Sequence, residues 1–376
     1  MQETPGLVSG GRGASFRLMR LPFLFIPLLA LSPVAAWAGT QPQAEAARQE
    51  YDLGVKLWAA KMKIATTTEE RAAAQADRPD LTRAGKKMWA IIQPNLHEEW
   101  ALEPAAWLVK MSPSMTIPGE NGARKPAMAE AVTAIRTAVE KYHVKSKKLA
   151  PFCLALVSAN DPAALGLLHR IETENPDPEV QGVAALAQAM LMKSLGDDAQ
   201  AVSRRLTLLK KAIINSADTV VDGVPISKPA GDELYIILHL SKGRPAPEIT
   251  GVGSGGEPMS LTSYKGKVVV LLFWTSESED SQTVADMAHK MKERFAGKPF
   301  EVVGVNADST AALRKMQADG QVRWPNFSDP EKKIAVDYRV GFWPLAYVLD
   351  SHLNIQYVGA LGSFVELTAA ALLEQS

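Results

Sequence analysis

Cysteine is almost missing from this 376-residue chain, in which Cys153 stands alone. One thiol cannot close an intramolecular disulfide. It also cannot supply both the attacking and the resolving sulfur of a dithiol redox centre. An excess of either charge sign is missing too, with 41 basic and 41 acidic residues. Nothing in that balance favours nucleic acid or an acidic ligand. No glycine-rich phosphate loop, spaced metal-ligand pair or basic–aromatic strip occurs. No cofactor and no metal are therefore expected.

Long apolar runs are scarce as well. The N-terminal run Leu21 to Leu31 is short and interrupted by Pro22 and Pro27, with Pro33 just beyond it, which makes a poor membrane span. Arg12, Arg17 and Arg20 precede it, and Ala36-Trp37-Ala38 follows as a small-x-small cleavage pattern. Residues 1–38 thus read as a signal peptide, and the protein as exported to the periplasm or cell envelope of a bacterium. The alternative is an uncleaved anchor, the only membrane contact expected.

What is present divides into two patterns. Residues 43–215 read as an all-α, possibly repeat-like domain. Its predicted helices run over Ala44–Gln75, Leu81–Ile92, Glu98–Lys110, Ala127–Lys141, Ser146–Ser158, Ala163–Glu174 and Glu179–Ser194, with one more reaching about Asn215. Asp161-Pro162 and Asp177-Pro178 are helix starts, an N-cap followed by proline at the first helical position. Trp58, Trp89, Trp100 and Trp107 are expected in the helix–helix core. Cys153, flanked by apolar neighbours, reads as a buried and inert small hydrophobe. Gly223, Pro225 and Pro229 give residues 216–242 the composition of a linker, ending in a connecting helix.

From Gly243 to the end the pattern becomes alternating strand and helix. Lys267–Phe273 is a continuous apolar strand, as in a sheet covered on both faces. Ser278–Ala296 follows as a helix, Phe300–Asn306 as a strand, Ala311–Asp319 and Pro330–Tyr338 as helices. Leu345–Leu349 with Ile355–Val358 forms a hairpin, and Val365–Glu374 closes the domain as a helix. Ser276 with Glu279 fits a capping box for the helix after the first strand.

Three blocks in this order carry a resemblance: Leu261 to Val270 with Phe273-Trp274, Val302 to Asn306, and Gly341-Phe342-Trp343-Pro344 to Asp350. Together they resemble the thioredoxin-like TlpA/ResA and AhpC/TSA (redoxin) group, over about 130 residues. The resemblance implies an α/β fold with a central mixed sheet flanked by helices, placed after the helical domain. It implies a CxxC motif where this chain has Ser278 and Ser281, and a peroxidatic cysteine, in a T-x-x-C segment, where Thr275 is followed by Ser278. Pro344 matches the group's cis-proline, and Trp343 the position that contacts peptide substrates.

Serine cannot replace these sulfurs, because its hydroxyl stays protonated near neutral pH and forms no analogue of a mixed disulfide. Glu277, Glu279 and Asp280 would also raise the pKa of a thiol placed among them. A serine hydrolase needs a base beside Ser278, and the six histidines, including His289 and His352, show no spacing that supplies one. The sequence therefore points to a non-catalytic binding or scaffolding protein that holds an envelope protein or peptide near Ser278, Trp343 and Pro344. The alternative that the family implies is a thiol-disulfide or peroxide oxidoreductase working through Cys153.

Overall fold

The computed structural model describes residues 39–375, except Glu120, Asn121, Ser194, Leu195, Asp197 and Glu279. The predicted signal peptide lies outside the described residues. Gly39–Ser376 forms one compact unit.

The chain begins with α1 (Gln41–Ile64), α2 (Thr68–Ala76) and α3 (Leu81–Ile92). One helix was expected over Ala44–Gln75, and two form. Thr67 Oγ1 accepts the amide of Glu70 at 3.1 Å, while the Glu70 carboxylate accepts the amides of Thr66 and Thr67 at 2.8 and 3.1 Å. This reciprocal box starts a new helix and so ends the old one.

Then come α4 (Leu102–Met111), a small hairpin of β1 (Thr116–Pro118) and β2 (Arg124–Pro126), α5 (Ala129–Ala138), α6 (Ala150–Ser158) and α7 (Leu165–Glu174). After them lie α8 (Pro178–Met192) and α9 (Ala199–Ser216). Asp177 caps α8 through the Glu179 amide at 2.9 Å. Asp161 takes the Ala163 amide at 3.0 Å, opening a short 3-10 turn ahead of α7. Helix α8 is apolar nearly all round and sits inside the helical core, with Val183 to Ala187 fully buried. Trp107 is buried there and Trp89 and Trp100 pack against it. Trp58 departs from the expectation: it is half-buried beneath the Arg78 guanidinium, 5.3 Å from its ring.

Of the linker and connecting helix expected over 216–242, the helix forms, and the linker part is an ordered hairpin instead. Val220–Val221 (β3) and Val224–Pro225 (β4) pair as a hairpin, turned by Asp222 and Gly223 with φ of 51° and 79°. Both turn residues adopt the left-handed conformation that matches strand twist. Helix α10 (Ser227–His239) follows at once. Its Ala230 and Ile237 belong to the helical core, whereas Tyr235, Ile236 and the following Leu240 pack on the next core. Buried apolar side chains on two sides of one helix make this segment a junction.

Beyond it come the hairpin β5 (Thr250–Val252) and β6 (Pro258–Ser260), then β7 (Val268–Trp274), α11 (Ser281–Arg294), β8 (Phe300–Asn306) and α12 (Thr310–Ala318). The chain ends with β9 (Asn326–Ser328), α13 (Lys333–Asp337), β10 (Leu345–Leu349), β11 (Ile355–Ala360) and α14 (Ser363–Gln375). Five strands form the mixed sheet in the order β11-β10-β7-β8-β9. Strands β7, β8 and β9 run parallel, and β10 runs antiparallel to both of its neighbours, β7 and β11.

All seven residues of β7 are buried, and they alternate between two cores. Val268, Val270, Leu272 and Trp274 meet Val284, Ala288 and Met291 of α11 and Val365 and Ala369 of α14. Val269, Leu271 and Phe273 meet Leu240, Ala335 and Tyr338 on the other face. The C-terminal end of this central strand carries the candidate site.

Candidate functional site

Strand β7 ends at Trp274, and the chain passes through Thr275 to Ser278 before entering α11. The helix was expected to start at Ser278, with a capping box between Ser276 and Glu279. It starts at Ser281, preceded by Asp280, which makes no side-chain cap bond. Glu279 lies outside the described residues. Glu277 and Asp280 therefore precede the first helical turn.

The reason is Asp308. Its carboxylate accepts the Thr275 hydroxyl at 2.6 Å, the Ser276 amide at 3.1 and 3.0 Å, and the Asn306 side-chain amide at 2.9 Å. With its hydroxyl and amide turned to a group beyond the end of β8, the Thr275–Ser276 segment has a partner other than the helix. Burial pushes the Asp308 pKa up, but the bonds from Thr275, Asn306 and Ser276 outweigh it and hold the carboxyl below the ordinary aspartate range. Sequence reasoning missed this residue. Its only signal was a polar Asn306-Ala307-Asp308-Ser309 run at the end of a buried strand.

Ser278, Trp343 and Pro344 are brought together. The Ser278 hydroxyl faces the carbonyl oxygen of Trp343 at 3.4 Å, and it lies 3.3 Å from the Asp280 amide. The Trp343–Pro344 peptide bond is cis, and Pro344 is buried behind it. Ser281 stands one turn beyond Ser278, its amide 3.0 Å from the Ser278 carbonyl. A cleft of about 580 Å³ opens between Ser276, Ser278, Asp308, Lys332 and Trp343. The Lys332 ammonium lies 5.9 Å from the Trp343 ring centroid, within reach of a cation–π attraction.

No histidine joins this cluster among the described residues. His289 lies along α11 with its ring 5.5 Å from Trp324, and His352 is exposed in the β10–β11 turn. Among the described residues Ser278 thus has no general base in hydrogen-bonding contact. Cys153 lies on α6, fully buried. Burial raises its thiol pKa to about 12, against a smaller lowering by its own backbone hydrogen bond. No group of three or more His, Cys, Asp or Glu able to hold a metal occurs among the described residues. None of the helices there is long and apolar enough to cross a membrane.

The AhpC/TSA family model matches residues 242–358. The thioredoxin-like protein YneN of Bacillus subtilis is 31% identical over 130 residues, covering 33% of this chain and 75% of that protein. The chain belongs to the thioredoxin-like AhpC/TSA family. Other relatives are similar over about a third of the chain. Chloroplastic peroxiredoxin Q of Oryza sativa subsp. japonica is 28% identical over 136 residues, 34% of this chain and 63% of its own length. The thiol-disulfide oxidoreductase ResA of Bacillus cereus is 25% identical over 109 residues, 29% and 63% of the two chains. The chain thus spans under two thirds of the length of several relatives. Among solved structures, the thioredoxin domain of a thiol-disulfide oxidoreductase from Bacteroides vulgatus matches 35% of this chain and 98% of its own, at 24% identity and a TM-score of 0.33.

The chain thus sets a cis Trp343–Pro344 bond beside the loop that joins β7 to α11. It has one cysteine, and that cysteine lies in the helical core, outside the matched residues.

Proposed function

We propose that the protein is an exported, non-catalytic member of its family that holds a protein or peptide partner in the cleft between Ser278 and Trp343–Pro344. One observation carries this reading: the single thiol is 0% exposed, while the loop and cis-proline frame are intact around serine hydroxyls. Ser278 and Ser281 occupy the places that the resemblance assigns to the family's cysteines, and neither can exchange disulfides. Export rests on the arginines, short apolar run and Ala36-Trp37-Ala38 pattern of the N-terminus. The cleft offers Trp343 as a stacking surface and Lys332 as a charge beside it. These are the elements of a recognition site without a reactive atom.

The relatives' names, thiol-disulfide oxidoreductase and peroxiredoxin, favour a second reading in which Cys153 does the chemistry. With its thiol pKa raised to about 12, the thiolate would be about one part in 10⁵ at pH 7. Insulin reduction and peroxide consumption by the purified protein decide between the two. The parent and a Cys153→Ala variant are expected to be indistinguishable, and a parental rate above the variant would return the chain to its relatives' chemistry. For the cleft, Trp343→Ala is expected to weaken partner capture from an envelope extract while leaving the near-UV circular dichroism folded. Equal capture by both would remove the cleft from the binding site.

A further inference from the structure

A second cavity, of about 750 Å³, lies where α8 and α10 meet the β10–β11 side of the sheet. That volume is in the range of small-molecule sites, about 300–1,000 Å³. Its lining is divided by chemistry. The sheet side and residues 340–342 contribute apolar side chains or glycine only: Val340, Phe342, Leu345, Tyr347 and Val358, with Gly341 and Gly359. The Tyr347 hydroxyl is already committed to the Tyr338 carbonyl at 3.2 Å. Three apolar side chains at this cavity face water: Val336 at 63% exposure, Phe342 at 50% and Val358 at 39%.

The charged lining comes mainly from α10 and the residue after α8, beside apolar Met190, Ile236 and Leu240, with Arg339 just beyond α13. Lys193, Lys228 and Arg339 stand with Asp232 and Glu233, so cations outnumber carboxylates among the described lining residues. Each carboxylate is also shared. Asp232 meets Arg339 at 2.8 Å and Lys228 at 3.7 Å. Glu233 meets Lys193 at 3.1 Å, and Arg205 approaches it at 3.1 Å from the buried side. The result is a cationic end facing an apolar, partly wet floor.

We propose that this cavity binds a single-chain amphiphile with a carboxylate head, the head against Lys193 and Lys228 and the chain over Leu345, Phe342 and Val358. An anion restores the balance that two shared carboxylates leave incomplete. A flexible chain covers exposed side chains that would otherwise stay in water. A cationic head of the same chain length would meet three like charges against two carboxylates. The site is separate from the cleft at Ser278, so the failure of either reading leaves the other standing.

The test is calorimetric titration of the full chain with octanoate, decanoate and dodecanoate below their micelle concentrations, and with dodecyltrimethylammonium. Each added methylene is expected to tighten binding about fourfold, and the ammonium to bind at least about tenfold more weakly than dodecanoate. Lys228→Glu, at a mostly exposed side chain, is expected to weaken dodecanoate about tenfold. Phe342→Asp serves as the second variant, with a similar loss, and near-UV circular dichroism checks that both are folded. Ser278→Ala should bind as the parent does. Absence of dodecanoate binding, equal binding of the ammonium, or parental affinity in both folded variants would overturn the proposal.

Discussion

The carboxylate of Asp308 is bonded by Thr275, Ser276 and Asn306, three donors from two segments of the chain. Replacing it by asparagine puts an amide N–H₂ where some of those donors point. Asp308→Asn is expected to cost about 1–3 kcal/mol, the range for a buried polar group left unpaired. Urea unfolding at pH 7 measures it. The pH dependence has a fixed sign, because the folded pKa is depressed. The contribution is complete above the unfolded value near 3.8 and disappears as the pH falls through the lower folded value. The difference between parent and variant should therefore shrink in acid below that point. At this scale the cis-proline and the approach of Ser278 to Trp343 were legible in the sequence, since each position belongs to a local pattern of the resemblance. Asp308 escaped because two of its three partners, Thr275 and Ser276, stand some thirty residues earlier in the chain, and the polar run around it does not mark that pairing.

Among the elements, β8 shows how a strand interior can depend on one missing side chain. A Cβ on Gly304 would overlap the Asn326 side-chain oxygen at 1.7 Å and approach the Trp274 indole nitrogen at 2.9 Å. That oxygen accepts the Trp274 indole N–H at 2.8 Å, joining β7 to β9 across β8. Gly304→Ala is expected to destabilise the protein by about 2 kcal/mol or more, through overpacking and a broken buried bond. A lowered urea midpoint, with a shifted emission from Trp274, would report it. Unchanged unfolding would mean that Asn326 moves freely. The long buried strands β7 and β8 were legible as unbroken apolar runs. The three-residue β9, Asn326-Phe327-Ser328, has too few residues for any periodicity, and it pairs only because β8 supplies an edge. The Asp222-Gly223 turn was in plain view, yet the surrounding prolines made it read as linker.

Across the whole molecule, α10 decides how the two regions behave. It gives Ile237 to the helical core and the adjoining Leu240, 1% exposed, to the sheet core. Leu240→Ala is expected to cost about 2–4 kcal/mol. It should lower the stability reported by tryptophans of the helical region, such as Trp107, together with that reported by Trp274. Separate transitions in the parent, with only the second one moved by the variant, would mean that the helix joins nothing. The division into a helical part and an α/β part could be read from periodicity, because each pattern is local. Their union could not, since it depends on which side of one helix meets which core.

Strand β7 is buried along its whole length and hydrogen-bonded to a neighbour on each edge. Its amides are expected to trade hydrogen for deuterium mainly through openings close to global unfolding. The Ser278 loop hangs from the end of this strand. A molecule taken up there by the native state alone slows that opening by the factor one plus its concentration over its dissociation constant. The amides of β7 are thus expected to act as a built-in gauge of cleft occupancy by slowed deuterium exchange, although they lie in the strand and not in the cleft.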